Sequence, residues 1–296
     1  MMPFANTRVV EVGSGVALAF CGKMFADFGA EVIKDEPPGG DAAIRRMVPL
    51  VDLGEGRQES AYAAWLNTNK HGVTDDPESP RFVELVRGAD VLLDSRVQPD
   101  HAALRQANPG LVIGAISWFG ETGPYRDFAA TEAVCRALAG GVHAIGPAEG
   151  PPLIPLDGQS GMIAGLATFV ATAAGIYGGG GRRFAVSVQE ALMHAMEMDF
   201  SSALATGKSR QRPGVNEFGR HYPSSIYQTA DGWIGISTIT PAQWRGFCAM
   251  TGRMDLGADP RFVTSEGRTK AGMELEAIFV PLLKTRTSLH WFEAGL

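Results

Sequence analysis

Apolar positions open the chain as a short β-branched run, Arg8 to Val12 (RVVEV), that meets Gly13-Ser14-Gly15. Such a run ending on glycine predicts a strand and a turn. From Ala17 to Phe28, the residues Leu18, Cys21, Phe25 and Phe28 recur at spacings of three and four. That spacing predicts a helix with one apolar face, which Gly29 stops. Ala30 to Lys34 (AEVIK) reads as a second strand, and Pro37-Pro38-Gly39-Gly40 as a loop. Strand, helix and strand within about thirty residues form a βαβ unit, whose crossover makes the two strands parallel. The alternation continues with a helix over Pro80–Arg87, a strand over Val91–Asp94, a helix over His101–Gln106 and a strand over Leu111–Ser117. The fold class expected is α/β, with an open parallel Rossmann-like sheet and helices on both faces.

Beyond Gly120 the pattern changes. Glu132 to Ala139 and Gly161 to Tyr177 predict helices, Phe184 to Val188 a strand, and Glu190 to Leu204 a helix. Lys208 to Arg220 is polar and contains glycine, as a linker does. Ser225 to Tyr227 and Trp233 to Thr238 flank Ala230-Asp231-Gly232, a hairpin signal. From Pro241 onward the chain is helical and amphipathic. The expected organisation is a large α/β domain over 1–207, a linker over 208–224 and a smaller α/β domain over 225–296.

Composition narrows the function classes. With 296 residues, 45% of them hydrophobic, the chain is long enough for one large or two smaller globular domains. A formal charge of −6 is opposite to that of a nucleic-acid surface, so no nucleic-acid partner is expected and any anionic ligand needs a local site. Cys21, Cys135 and Cys248 are far apart and form no CxxC pair, which argues against a disulfide framework or a Cys-rich zinc site. A reducing, cytoplasmic setting fits. No basic start followed by an apolar core marks a secretory signal. Met162 to Tyr177 is apolar but alanine-rich and interrupted by Gly165 and Gly175, so it reads as a buried helix and no membrane partner is expected.

Three stretches carry candidate chemistry. Gly13-x-Gly15 lies at the first strand-to-helix turn, Ala19 supplies a third small residue, and Asp35 follows the second strand. A nucleotide-binding fold places its ribose-binding acid there, although any βαβ unit wants small residues at this turn. Asn67-Thr68-Asn69-Lys70, after Trp65-Leu66, suits either a phosphate contact or a solvated turn. Asp157-Gly158-Gln159-Ser160-Gly161-Met162 precedes the apolar helix. Asp157 there is a helix cap, a nucleophile or a base, and backbone amides near Gly158 suit a developing oxyanion. The six histidines form no HxH or HExxH pattern, so no metal site is expected. Ser14 and Ser160 do not match the G-x-S-x-G elbow of serine hydrolases.

Taken in order, several stretches resemble the family III CoA-transferases, a group that includes formyl-CoA transferase, carnitine CoA-transferase and 2-methylacyl-CoA racemase. They are Val9 to Lys34, Glu36 to Asp41, Leu66 to Lys70, Ala89 to Leu93, Asn108 to Val112, and Ser117 to Gly120 through Gly123-Pro124-Tyr125. Asp157 to Met162, Val186 to Leu192, Thr229 to Ile234, and Asp259 to Phe262 with Arg268 follow. The resemblance implies that the large domain binds CoA, as a substrate and not as a tightly bound cofactor, and that CoA moves between an acyl-CoA and a carboxylic acid. It implies Asp157 as the nucleophile that passes through an anhydride to an aspartyl-CoA thioester, Gly158 as an oxyanion contact, and Glu132 as a supporting acid or substrate contact. The racemases of the family use the matching aspartate with a histidine; that histidine position is Thr131 here, which favours transfer, with racemisation or epimerisation as the alternative. Val16, Ala17, Lys34, Asn69, Lys70 and Arg96 are the implied CoA contacts, and an interlocked homodimer is the implied assembly. Departures from the family are Ser95 to Pro99, a shortened connection to Asn108, a cut-down turn at Gly178 to Arg183, and an end at Leu296 before the family's return to the first domain. They motivate a further alternative, a non-catalytic CoA-binding homologue.

Overall fold

The computed structural model describes residues 2–155, 158–209, 212 and 221–296. The chain divides into two compact units: 1–143 with 154–210, and 144–153 with 211–296. The segment 144–153 thus groups with the second unit. Most of the expected linker over 208–224 lies outside the described residues.

In the first unit β1 (Arg8–Val12), α1 (Val16–Asp27) and β2 (Glu31–Asp35) form the expected βαβ unit. Next come α2 (Ala42–Arg45), the paired short strands β3 (Leu50–Asp52) and β4 (Gln58–Ser60), α3 (Ala61–Leu66) and β5 (Lys70–Val73). α4 (Pro80–Arg87), β6 (Val91–Asp94), α5 (His101–Ala107) and β7 (Val112–Ser117) continue the alternation. α6 (Glu132–Leu138), α7 (Gln159–Tyr177), β8 (Arg183–Ser187), α8 (Val188–Ala195) and α9 (Glu197–Thr206) complete it. The single helix expected over Glu190 to Leu204 is two, because Met196 leaves helical geometry at φ −100° and ψ 16°. α7 is longer than the pattern suggested, and by length and hydropathy it would suffice to cross a membrane. Its Ala164, Thr168 and Thr172 are nevertheless buried, on the face that packs against α1 and β7.

The six parallel strands run in the order β5-β2-β1-β6-β7-β8. The chain moves outward from β1 through β2 to β5, then returns to place β6 on the other side of β1. This reversal defines a switch point between β1 and β6, where neighbouring loops diverge and leave a crevice at the strand carboxyl ends. Val12 of β1 and Asp94 of β6 sit side by side at that edge. One core face joins Val9, Val32, Val91 and Leu93 to Leu18, Cys21 and Phe25 of α1; the other joins Val10, Leu92 and Ile113 to Phe82 and Val86 of α4. α1 and α7 approach closely. A Cβ at Gly165 would lie 2.6 Å from the Ala17 carbonyl oxygen.

Register also creates a buried ion cluster. Glu11 of β1 is opposite Lys34 of β2, and Lys70 of β5 is opposite Val32 of β2. The Glu11 carboxylate accepts from Lys34 Nζ at 2.5 Å and from Lys70 Nζ at 2.7 Å. Lys70 also donates to the Ala19 carbonyl at 2.7 Å and to Asn67 Oδ1 at 3.3 Å.

The second unit joins the antiparallel hairpin β9 (Ser224–Gln228) and β10 (Trp233–Ser237) to a helical tail. The tail is α10 (Pro241–Met250), α11 (Met254–Ala258), a 3₁₀ turn (Pro260–Phe262), α12 (Ser265–Lys270), α13 (Gly272–Leu283) and α14 (Ser288–Ala294). Its core holds Trp244, Phe247, Phe262, Phe279 and Trp291. Arg268 is buried within it, donating to the carbonyls of Tyr222 at 2.7 Å and Phe262 at 2.9 Å and lying over the Trp244 ring. A guanidinium so occupied ties chain segments together.

Candidate active site

The turn after β1 is built by an acid outside the glycine motif. Asp41, 2% exposed, accepts from Ser14 Oγ at 2.7 Å and from the Gly15 amide at 2.9 Å. It also caps α2 through the Ala43 amide at 3.0 Å. Across the switch point, Ser95 Oγ accepts from the Ser14 amide at 2.8 Å and donates to the Ser14 carbonyl at 2.9 Å. These bonds hold the ends of β1 and β6 together and set the floor of a cavity of about 380 Å³. Val16, Ala17, Thr131, Glu132, Gly158 and Gly161 are among its walls. The lining is mostly apolar, and among the described residues Glu132 is its one charged side chain.

Glu132 begins α6, capped by Thr131, whose hydroxyl accepts from the Val134 amide at 3.4 Å. Its carboxylate crosses to the head of α7, accepting from the amides of Gly158 at 2.7 Å, Gly161 at 3.0 Å and Ser160 at 3.3 Å. An anion here satisfies donors that the helix leaves unpaired and meets the positive end of its dipole. The amides expected to face an oxyanion are therefore engaged by a side chain. Gly158 has φ 97°, a left-handed conformation that a β-carbon strains. Tyr62 of α3 lies against it, its buried hydroxyl without a hydrogen-bond partner. Burial, then the charge of Glu132, raises the Tyr62 phenol above its ordinary value. Asp157, expected as the nucleophile, lies outside the described residues.

A second cavity, of about 680 Å³, lies at the ends of β1, β2 and β5 and shares Ser14 with the first. Asp35, Glu36, Pro37, Pro38, Asp75 and Arg96 are among its walls. Arg96 gives Nε and Nη2 to the buried Asp94 carboxylate and stacks over Phe82. Burial pushes the Asp94 carboxyl up, but hydrogen bonds from His101 and Arg96 outweigh it and hold it below the ordinary range. Among the described residues no group of three or more His, Cys, Asp or Glu is placed to hold a metal.

The structure brings Val16, Ala17, Glu132 and Gly158 to one cavity and Arg96 to its neighbour. It places Lys34 and Lys70 elsewhere. Their side chains are 3% and 2% exposed and closed on Glu11, so neither ammonium reaches a cavity wall. Asn69, with φ 65°, donates to Asp27 at the surface. Sequence reasoning missed Asp41, Ser95 and Tyr62. Asp41 alone had a readable signal, an aspartate just before a short helix.

A parallel sheet with two adjoining cavities at the carboxyl ends of its strands, beside the switch point, defines an α/β enzyme with its ligand site there. The comparisons give the class: the chain belongs to CoA-transferase family III, whose model matches residues 4–295. It is an enzyme of that type and takes CoA thioesters as substrates. It is 34% identical to succinyl-CoA–D-citramalate CoA-transferase of Chloroflexus aurantiacus, over 93% of this chain and 71% of that protein. It is 29% identical to succinate–glutarate CoA-transferase of Agrobacterium fabrum, over 99% of this chain and 76% of that one. A crystal structure of a CaiB/BaiF family protein from Brucella suis superposes with a TM-score of 0.78 at 26% identity, covering 97% of this chain and 78% of that one.

Proposed function

We propose that the chain transfers CoA from an acyl-CoA to a carboxylic acid through a covalent intermediate on Asp157. The observation that carries this reading is the apolar chamber at the switch point, with Gly158, the residue after Asp157, in its wall. A carboxylate is a weak nucleophile in water, and a chamber that excludes water and fixes the thioester offsets that weakness. The Asp157 carboxylate attacks the thioester carbonyl, forming an anhydride and releasing CoA thiolate. The thiolate attacks the aspartyl carbonyl, releasing the donor acid and leaving an aspartyl-CoA thioester. The acceptor carboxylate attacks that thioester, and the freed thiolate then takes the acyl group from the second anhydride, restoring Asp157.

Glu132 is assigned a positioning role. Its charge lies where a developing oxyanion would otherwise sit, and its bonds to Gly158 and Gly161 fix the head of α7, which follows Asp157 in the sequence. Thr131, which ends its side chain in a cap bond, has no group that shuttles a proton at neutral pH, and no histidine is among the described walls. Both features support transfer over racemisation. Val16, Ala17 and Arg96 remain as CoA contacts; Lys34 and Lys70 serve the fold. Homodimerisation suits α9, where Met198 and Leu204 are exposed and no residue is buried.

The two similar transferases are named for succinate or succinyl-CoA with D-citramalate or glutarate, so succinyl-CoA and dicarboxylic acceptors form the first panel. Intact-mass spectrometry after incubation with succinyl-CoA should show a CoA adduct on Asp157 that hydroxylamine removes. Asp157→Ala should lower transfer by at least about 10³-fold. Unchanged transfer in that variant would refute the mechanism. Solvent deuterium at the α-carbon of a chiral 2-methylacyl-CoA would point to racemisation instead.

A further inference from the structure

The second cavity contains a carboxylate oxygen, Asp35 Oδ2, that neither the fold nor the transfer chemistry uses. Asp35 ends β2 and is 2% exposed. Its Oδ1 accepts from the Asp75 amide at 2.8 Å, while Oδ2 is buried with no partner. A buried acceptor left unpaired is costly, and a ligand donor is one way to satisfy it. The neighbouring acids each have a partner, although Glu36 Oε1 is also buried without a hydrogen bond, with Lys34 Nζ 3.9 Å away. Asp75 pairs with Arg81 and takes the Ser79 hydroxyl, Asp76 takes the Glu78 amide, and Glu36 pairs with Arg45.

We propose that Asp35 Oδ2 accepts a hydrogen bond from the ribose 2′-hydroxyl of the CoA nucleotide, which makes Asp35 a specificity-determining residue for the nucleotide half of the substrate. Four features support the assignment. The carboxylate stands at the carboxyl end of the strand beside the switch point, where an acid can meet a ribose when a nucleotide spans the first strand–helix turn. Pro37, Pro38 and Pro77 give the cavity rigid apolar surface of the kind a base packs on. Arg96 spends Nε and Nη2 on Asp94 and keeps Nη1 for a phosphate oxygen. Ser14 lines both this cavity and the thioester chamber, so the two adjoin as the two halves of an extended ligand require. A bare divalent cation fits less well, because among the described residues no group of three or more His, Cys, Asp or Glu is placed to hold one, and proline forms much of the wall.

The proposal rests on the CoA-transfer reading, and binding separates the two. Calorimetry with CoA, 2′-deoxy-CoA and 4′-phosphopantetheine is run on the wild type and on Asp35→Asn, which keeps the Oδ1 acceptor. The wild type should bind 2′-deoxy-CoA roughly tenfold or more weakly than CoA. Asp35→Asn should lose a similar factor on CoA, and in it the two nucleotides should bind alike. Equal weakening of 4′-phosphopantetheine would place the effect outside the nucleotide and overturn the assignment, as would indifference of the wild type to the 2′-hydroxyl. Because the wild-type comparison alters only the ligand, a poorly folded variant leaves that arm decisive. Wild type that binds CoA with this dependence but transfers none refutes the transfer reading alone, and wild type that binds no CoA refutes both.

Discussion

Glu11→Gln removes the single carboxylate shared by two buried ammonium groups. Glu11 is 0% exposed, with Lys34 Nζ at 2.5 Å and Lys70 Nζ at 2.7 Å. Glutamine keeps the shape and one acceptor oxygen but no charge. Lys34 keeps the Glu36 carboxylate at 3.9 Å and the charge of Asp41, and Lys70 keeps neutral acceptors. Removing one partner of a buried pair costs about 3–5 kcal/mol, chiefly because the other charge stays desolvated. Against a typical stability of about 5–15 kcal/mol, that is a large share. Urea unfolding, followed by a probe in the first unit, should show an earlier midpoint with an unchanged slope. The pH profile tests the cause. Burial pushes the Glu11 carboxyl up, but Lys70 and Lys34 outweigh it and hold the value below the ordinary range. For an acid whose folded pKa is depressed, the contribution is complete above the unfolded value of about 4.3 and disappears as pH falls through the folded one. Wild type should therefore weaken below about pH 4 through this group, and Glu11→Gln should lack that part of the slope. A loss under about 1 kcal/mol, or an unchanged acid slope, would show that the two lysines do not depend on Glu11.

Gly165→Ala puts a methyl group 2.6 Å from the Ala17 carbonyl oxygen and 3.2 Å from the Cys21 amide nitrogen, atoms of the α1 backbone that cannot rotate away. Despite the better helix propensity of alanine, thermal unfolding should reveal a loss of about 1–3 kcal/mol; a gain would mean that α1 and α7 can separate freely. Burial holds all three thiols above their ordinary value, Cys135 and Cys248 at about 11 and Cys21 well above its ordinary value. A disulfide reagent at pH 8 should therefore react slowly with native protein and rapidly with all three thiols in denaturant, and a fast native reaction would contradict their burial.

The parallel sheet was legible where side chains repeat the environment they enter. Val9, Val10 and Val12, then Val91, Leu92 and Leu93, form apolar runs that only a strand covered on both faces buries, and the structure has them at the sheet centre. β5 was not legible as a strand. Lys70-His71-Gly72-Val73 has little strand propensity, and pairing with β2 defines it. The same limit applied to the lysines: the stretch ending at Lys70 suited a phosphate contact or a solvated turn, and the resemblance implied Lys34 and Lys70 as CoA contacts, while the register that turns both onto Glu11 is not readable in sequence.

The residues by themselves determined that this chain forms an α/β sheet with small residues at its first turn, and their order along the chain carried the family. The tertiary structure decided which charged groups belong to the fold and which face a cavity. Lys70 and Glu11 are 59 positions apart, and Gly158 and Glu132 are 26 apart. Propensity and periodicity act over a few residues, whereas an ion pair or a capped helix depends on which distant segments the core brings into contact.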